Sequence, residues 1–215
     1  GDAAHQTPPF LGQGMCAAIR DVANLAWKLE AVLQGRAGDD LLDTYESERA
    51  PHVRAFIDLA VRLGDIIQTT DPEAARQRDA KFKAGQPEMF QFPAPRLGPG
   101  VWRGDAEVVG RVFPQPLLSD GRRLDALVGS HFAVLGHASV LSKVSADTRA
   151  RWQAHGVVQV SDESEALHAW LSEHDVQAVM LRPDRYVMGV AQTAADLDTV
   201  SRLLPDLCKP VPMAA

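Results

Sequence analysis

Cysteine is nearly absent: the 215 residues hold two, Cys16 and Cys208. A pair so far apart makes neither a disulfide framework nor a metal cluster, and a reducing cytoplasm is the simplest compartment. Positive charge is also short. There are 22 Lys and Arg against 28 Asp and Glu, a net charge of −6 and a sequence pI near 5.6. No long basic run appears, which argues against a nucleic-acid or anionic-membrane surface. No apolar run is long enough to span a bilayer. The first residues include neither a Met nor the basic region of a signal peptide. Nowhere is there a Gly-rich βαβ fingerprint, so these residues lack the usual grip on an adenine dinucleotide. What is there is ordinary: 46% hydrophobic and 23% charged residues, in a length that allows one large domain or two small ones.

The distinctive stretch comes first: Gly1-Asp2-Ala3-Ala4-His5-Gln6-Thr7-Pro8-Pro9-Phe10-Leu11-Gly12-Gln13-Gly14-Met15-Cys16. Pro8-Pro9 fixes two φ angles and removes two amide donors, so the chain is stiff and extended there. Gly12 and Gly14 allow close backbone approach or positive φ just before a helix. The first amides of a helix lack internal partners and carry partial positive charge, which suits a phosphate, a carboxylate or the electron-rich edge of a ring. Asp2 adds a carboxylate able to accept from hydroxyl groups. On residue chemistry alone this is either a ligand-facing loop or a plain lead-in to a helix. His5 reads more simply as a hydrogen-bonded structural histidine, and Cys16 as a small apolar residue.

Residues 14–34 carry the clearest helical pattern. Met15, Ile19, Val22, Ala26, Leu29 and Leu33 form one apolar stripe that needs something to pack on, Arg20, Asp21 and Lys28 fall outside it, and Gly35 is a natural stop. A second helix is expected from Gly38-Asp39-Asp40 to Arg49, broken at Pro51. A third would follow, with Val53, Phe56, Ile57, Ala60, Val61 and Ile67 buried. Asp71-Pro72-Glu73 caps a polar helix to about Ala84 whose charges read as a solvated face. From Gly85 to Gly104, Pro87, Pro93, Pro95, Gly98, Pro99 and Gly100 make regular structure improbable and mark a boundary. Met89, Phe90, Phe92 and Trp102 suggest that this linker packs on something.

Beyond it the period changes. Strands are expected at 131–135, 157–160, 178–181 and 186–190, the last two as a hairpin through Arg182-Pro183-Asp184-Arg185. Helical patterns occupy 149–155, 161–173 and 194–204. The order β-α-β-α-β-β-α is that of a thioredoxin-like fold. Disulfide redox chemistry needs a CxxC at the first strand-to-helix junction, and Gly136-His137-Ala138-Ser139 stands there instead. Three units result: a helical part (1–84), a Pro/Gly-rich linker (85–104) and a thioredoxin-like α/β part (105–215). A metal hydrolase built on His5, His52 or His137 has little support, since no two of them have ligand spacing with a carboxylate partner.

The Gly-Asp-Ala-Ala-His start, the Pro-rich turn, Gly12-x-Gly14-Met15 and the helix end Asn24-Leu25-Ala26-Trp27-Lys28-Leu29 resemble the second flavin-binding motif of the class A FAD-dependent aromatic hydroxylases. Tyr45-Glu46-Ser47-Glu48-Arg49-Ala50-Pro51 fits the same family. Phe113-Pro114-Gln115-Pro116 and Leu181-Arg182-Pro183-Asp184-Arg185-Tyr186 resemble strings in the redox-inactive thioredoxin-like domain of its phenol-type members. Met15-Cys16 and the run from Thr69 to Ala75 look most like 3-(3-hydroxyphenyl)propionate hydroxylases. The resemblance implies the C-terminal portion of a larger monooxygenase that uses FAD, NADH or NADPH, and dioxygen, by way of a C4a-hydroperoxide, to hydroxylate a small aromatic substrate. It implies that Asp2 holds the ribityl chain, that Pro9 lies near the reacting flavin carbon, and that Gly12, Gln13, Gly14, Met15 and Cys16 face the flavin. The rest of the flavin-binding part would lie upstream, its sheet would cover the Met15–Leu33 stripe, and the assembly would be a homodimer. The alternative is a non-catalytic piece whose thioredoxin-like part mediates dimer or partner contacts.

Overall fold

A computed structural model of the chain describes residues 1–85 and 96–204. Met89, Phe90, Phe92 and Cys208, singled out above, lie outside the described residues. Helix α1 (Gly14–Leu33) ends as expected at Gly35, whose φ is +67°. Its amide donates to Val32 O (2.9 Å) and that of Arg36 to Ala31 O (2.7 Å), the paired bonds that close a helix over a left-handed residue.

The next helix departs from expectation. Instead of two helices broken at Pro51, a single α2 runs Asp40–Ile67 with Pro51 inside it. Proline supplies no N–H and crowds the carbonyl four residues back, which would break an isolated helix. Here a neighbouring loop lies along that turn. The Gly98 amide donates to Glu48 O (2.9 Å) and Ser47 Oγ to Pro99 O (2.7 Å). A Cβ on Gly98 would collide with the Ser47 carbonyl, so only glycine lets the loop approach so closely. Tertiary packing thus overrides the local break. Helix α3 (Pro72–Lys83) starts at Asp71, whose carboxylate accepts from the Glu73 and Ala74 amides, and it buries no residue.

The remainder is built on four strands: β1 (Ala133–Gly136), β2 (Val158–Val160), β3 (Ala178–Leu181) and β4 (Val187–Ala191). The sheet order is β2-β1-β3-β4, with β1 and β2 parallel and the other pairs antiparallel. A parallel pair needs a crossover, and α5 (Ala138–Leu141) and α6 (Ala146–Ala154) supply it. Helix α7 (Glu165–Glu173) precedes β3, and α8 (Ala194–Ser201) follows β4. This is the thioredoxin-like arrangement expected. The short α4 (Leu124–Val128) before β1 was not expected; five residues give too little periodicity to read.

Both faces of the sheet are buried, and alternate side chains serve different cores. Ala133, Leu135, Val179, Leu181 and Val187 meet Leu167 and Leu171 of α7 on one face. Val134, Met180 and Met188 meet Trp152 and Leu197 on the other, and Trp27, Ala31 and Leu41 of α1 and α2 join that same cluster. The helical part and the sheet therefore share a core. The outer edge of β4 is covered by the preceding loop, where the Val187 amide donates to Arg111 O, the Gly110 amide to Val187 O and the Arg103 amide to Met188 O. An edge so covered offers no ladder to another strand.

Candidate functional site

The stretch from Asp2 to Gln13, ahead of the Gly14, Met15 and Cys16 that open α1, forms one continuous loop. Its first turn is closed by the Ala4 and His5 amides donating to Gly1 O at 2.8 and 3.1 Å. Pro9–Leu11 make a 3-10 turn, and Gly12, at φ +61°, closes it with a bond to Pro9 O. A side chain built on Gly12 would meet nothing within 4 Å, so that turn faces open space. Phe10 turns inward, and its ring lies so close to Gly64 of α2 that a Cβ there would strike it. Asp2, Pro9, Gly12 and Met15 are exposed, while Gln13, Gly14 and Cys16 are half-buried. No side chain caps the N-terminus of α1, so its first amides have no side-chain partner, which is the condition for receiving an anionic or electron-rich group.

Beneath the loop, α1 is turned opposite to the simplest reading of its sequence. Met15 and Leu33 are 73% and 83% exposed, and Ile19, Val22, Ala26 and Leu29 are exposed too. The buried face carries Ala17, Asp21, Asn24, Trp27, Lys28 and Ala31. Polar groups placed inside demand partners, and they have them. Asp21 Oδ2 accepts from His5 Nε2 at 2.6 Å and Oδ1 from Arg49 Nε at 2.9 Å. Burial opposes the Asp21 charge, yet the Gly1 amino group, 2.9 Å from Oδ2, together with His5 and Arg49 holds its carboxyl below the usual carboxylate range. His5 is thus a hydrogen-bonded residue anchored on α1.

A second buried cluster lies where α1 and α2 meet the sheet. The Glu48 carboxylate accepts from Arg182 Nη1 (2.6 Å) and Nη2 (2.8 Å), Lys28 Nζ (2.8 Å), Asn24 Nδ2 (2.8 Å) and the Val101 amide (2.6 Å). Arg182 Nη2 also donates to Asp184 Oδ2 at 2.6 Å. Burial works against the Glu48 charge, but Arg182 and Lys28 outweigh it and pull the carboxyl down to about 2. Burial, with Arg182 alongside, lowers Lys28 to about 8 although Glu48 pulls the other way. Opposite charges in this low-dielectric pocket stabilise one another only as a set. Nearby, His52 is pressed down to about 3 by burial and by Arg49 and Arg20, so it stays neutral, with Nε2 3.3 Å from the Tyr186 hydroxyl.

A cleft of about 670 Å³ opens between the loop and α2, bordered by Ala4, His5, Asp21, Tyr45, Arg49 and Val53. Among the described residues no group of three or more His, Cys, Asp or Glu could hold a metal ion. No helix among them is long and apolar enough to cross a membrane.

Residues 1–60 match the sequence profile of the FAD binding domain family, and residues 110–206 that of the HcaD C-terminal domain. Over 99% of its length the chain is 38% identical to a probable NADH-specific resorcinol 4-hydroxylase of Rhodococcus jostii (strain RHA1), covering 43% of that protein. The chain is thus similar to an aromatic-ring hydroxylase over nearly its whole length. Over 93% of its length it is 36% identical to the 3-(3-hydroxy-phenyl)propionate/3-hydroxycinnamic acid hydroxylase of Mycobacterium sp. (strain JLS), covering 42% of it. Among solved structures, aklavinone-11 hydroxylase in complex with FAD and aklavinone superposes with a TM-score of 0.68 at 26% identity, over 96% of this chain and 43% of that one. The chain therefore spans less than half the length of these hydroxylases. The two matched profiles place its sequence in their C-terminal portion.

Sequence reading found the loop but missed the charge clusters beneath it. In the sequence Asp21 and Lys28 stand out only as lying off the apolar stripe, and Glu48 and Arg49 only as members of the Tyr45–Pro51 string. The signal was present: positions 17, 21, 24, 28 and 31 step by four and three, a second stripe flanked by alanines.

Proposed function

We propose that this chain is the C-terminal part of a flavin-dependent monooxygenase that hydroxylates a phenolic ring, with FAD seated on the Asp2–Cys16 stretch and NADH as reductant. The carrying observation is that stretch, in which an exposed carboxylate and an open glycine turn lead to a helix N-terminus that no side chain caps. These residues fit the flavin. Asp2 would accept from the ribityl hydroxyls. The amides near Met15 and Cys16, with Gly12, Gln13 and Gly14 leaving room for the ring edge, would stabilise negative charge on it, as preorganised dipoles do. Pro9 would pack against the ring beside the reacting carbon and fix its distance. Bound flavin would supply electron transfer and activation of dioxygen; orientation and exclusion of water are the protein's part. NADH is favoured over NADPH because the resorcinol hydroxylase relative is named as NADH-specific. Hydroxyphenyl-propionate and resorcinol relatives make a small phenol the first substrate class to try.

The exposed stripe Met15–Leu33 would be covered by upstream polypeptide that the longer relatives possess. Units 1–84 and 105–215, joined through 85–104, would act as the floor of the flavin site and its support. The second unit would also make the contacts of a cytoplasmic homodimer. A second reading, in which this chain acts only through association, draws on the same uncovered stripe, an apolar surface of the kind that seeks a partner. One experiment separates the two. After mixing with FAD and desalting, a retained flavin spectrum and NADH oxidation stimulated by resorcinol support the first reading. A colourless protein that elutes as a dimer supports the second.

A further inference from the structure

The flavin-facing loop does not stand alone; it is tied to the sheet through buried polar groups. We infer that Arg49, held by Tyr186, is a positioning residue for that loop: it fixes Asp21, Asp21 fixes His5, and His5 closes the turn that presents Asp2. This deepens the flavin reading and rests on it for its functional meaning, though the linkage itself is structural.

The path is short and continuous. Tyr186 sits immediately before β4, 2% exposed, and its hydroxyl accepts from Arg49 Nη1 at 3.4 Å. Arg49, equally buried, donates its Nε to Asp21 Oδ1. The other Asp21 oxygen takes His5 Nε2 and the Gly1 nitrogen, at 2.6 and 2.9 Å. Tyr186 and Arg49, 137 positions apart, are joined directly, and two further bonds reach His5. Among the described residues, the His5–Asp21 pair and Phe10 against Gly64 tie the loop's side chains to the helices below. The apolar contact sets depth; the ionic one sets direction, because the planar guanidinium fork donates Nε to Asp21 and Nη1 to Tyr186 along fixed directions. A lysine at position 49 would keep the charge and lose the fork. The thioredoxin-like unit, which has no CxxC, thus gains a role: its Tyr186 hydroxyl orients the arginine that aims the loop.

The test reads the loop directly. Amide hydrogen exchange at Ala4 and His5, both bonded to Gly1 O, reports the closed turn in this 215-residue chain. Amides of β1, β3 and α8 serve as the internal reference. Arg49→Met should speed exchange at Ala4 and His5 by about tenfold, Arg49→Lys by less, and Tyr186→Phe by about threefold, with the reference amides unchanged. The ¹⁵N shifts of the His5 ring should move in the same order as its pairing with Asp21 loosens. In the FAD-loaded full-length protein the flavin Kd should rise in that order too. Wild-type exchange at Ala4 and His5 in Arg49→Met would overturn the inference, as would equal acceleration of every amide. A wild-type protein that binds no FAD would defeat the proposed function, while the exchange ranking would still decide the linkage.

Discussion

The two halves of this chain solve burial in different ways. The sheet unit is held by a conventional apolar core on both faces, with Leu135, Val179 and Leu181 fully buried on one and Val134, Met180 and Met188 on the other. The α1–α2 layer adds buried charge to its apolar contacts. Asp21, Lys28, Glu48 and Arg49 face inward while Met15, Ile19 and Leu33 face out. Apolar contact is non-directional and tolerates small shifts, whereas charged hydrogen bonds fix orientation. A layer that must present a loop at a set angle gains from the second kind. Its apolar face is then free for a further element.

The sharpest way to break this contrast is Glu48→Ala. It leaves Arg182 and Lys28 buried without their carboxylate, and loss of one partner from a buried pair costs about 3–5 kcal/mol. Urea unfolding should show that loss, with both halves unfolding together because Trp27 and Leu41 share the sheet's core. Leu135→Ala removes apolar volume from the opposite sheet face and should cost about 2–5 kcal/mol. Its effect should fall on β1 and α7 and leave exchange at the Ala4 and His5 amides unchanged. If Leu135→Ala loosened that loop as much as Arg49→Met, directional charge would not be what aims it.

Acid sharpens the same contrast more gently. His52 is lowered to about 3 from 6.5, so the unfolded chain binds more protons than the folded one between those values, and stability falls as pH drops through that window. Glu48, lowered to about 2 from 4.5, adds its own loss only below about 4.5. The interval from 6.5 to 4.5 therefore isolates His52. Urea midpoints should fall across it, and His52→Gln should flatten the fall. Lys28, lowered to about 8 from 10.5, has the same sign: stability should rise with pH between those values as the buried ammonium is neutralised.

Legibility in the sequence followed the same division. The sheet unit was readable because β1, β3 and β4 are short β-branched and apolar runs between turns, and their order sets the topology. The loop was readable because its glycines, prolines and Asp2 act locally. Pro51 misled, because the bonds that carry a helix through it come from Gly98 and Pro99, some fifty residues away. The partners of Asp21 and Glu48 were hidden for the same reason. Arg182 lies 134 residues from Glu48, and a sequence pattern shows that a charge falls on a helix face but not which distant charge meets it.

The smallest expected effect tests the outward face of α1. Ile19→Glu with Leu33→Glu places two charges where the side chains are 59% and 83% exposed. Substitutions at exposed positions away from caps and networks stay within about 0.5 kcal/mol, so the unfolding midpoint of this chain should hold. Its self-association in sedimentation should decline, because a continuous apolar stripe in water is an association surface. In a longer polypeptide carrying upstream residues the same pair should destabilise by several times as much, since the charges would then be buried without partners. Equal tolerance in both settings would mean that nothing upstream covers α1, and the outward-facing stripe would need another explanation.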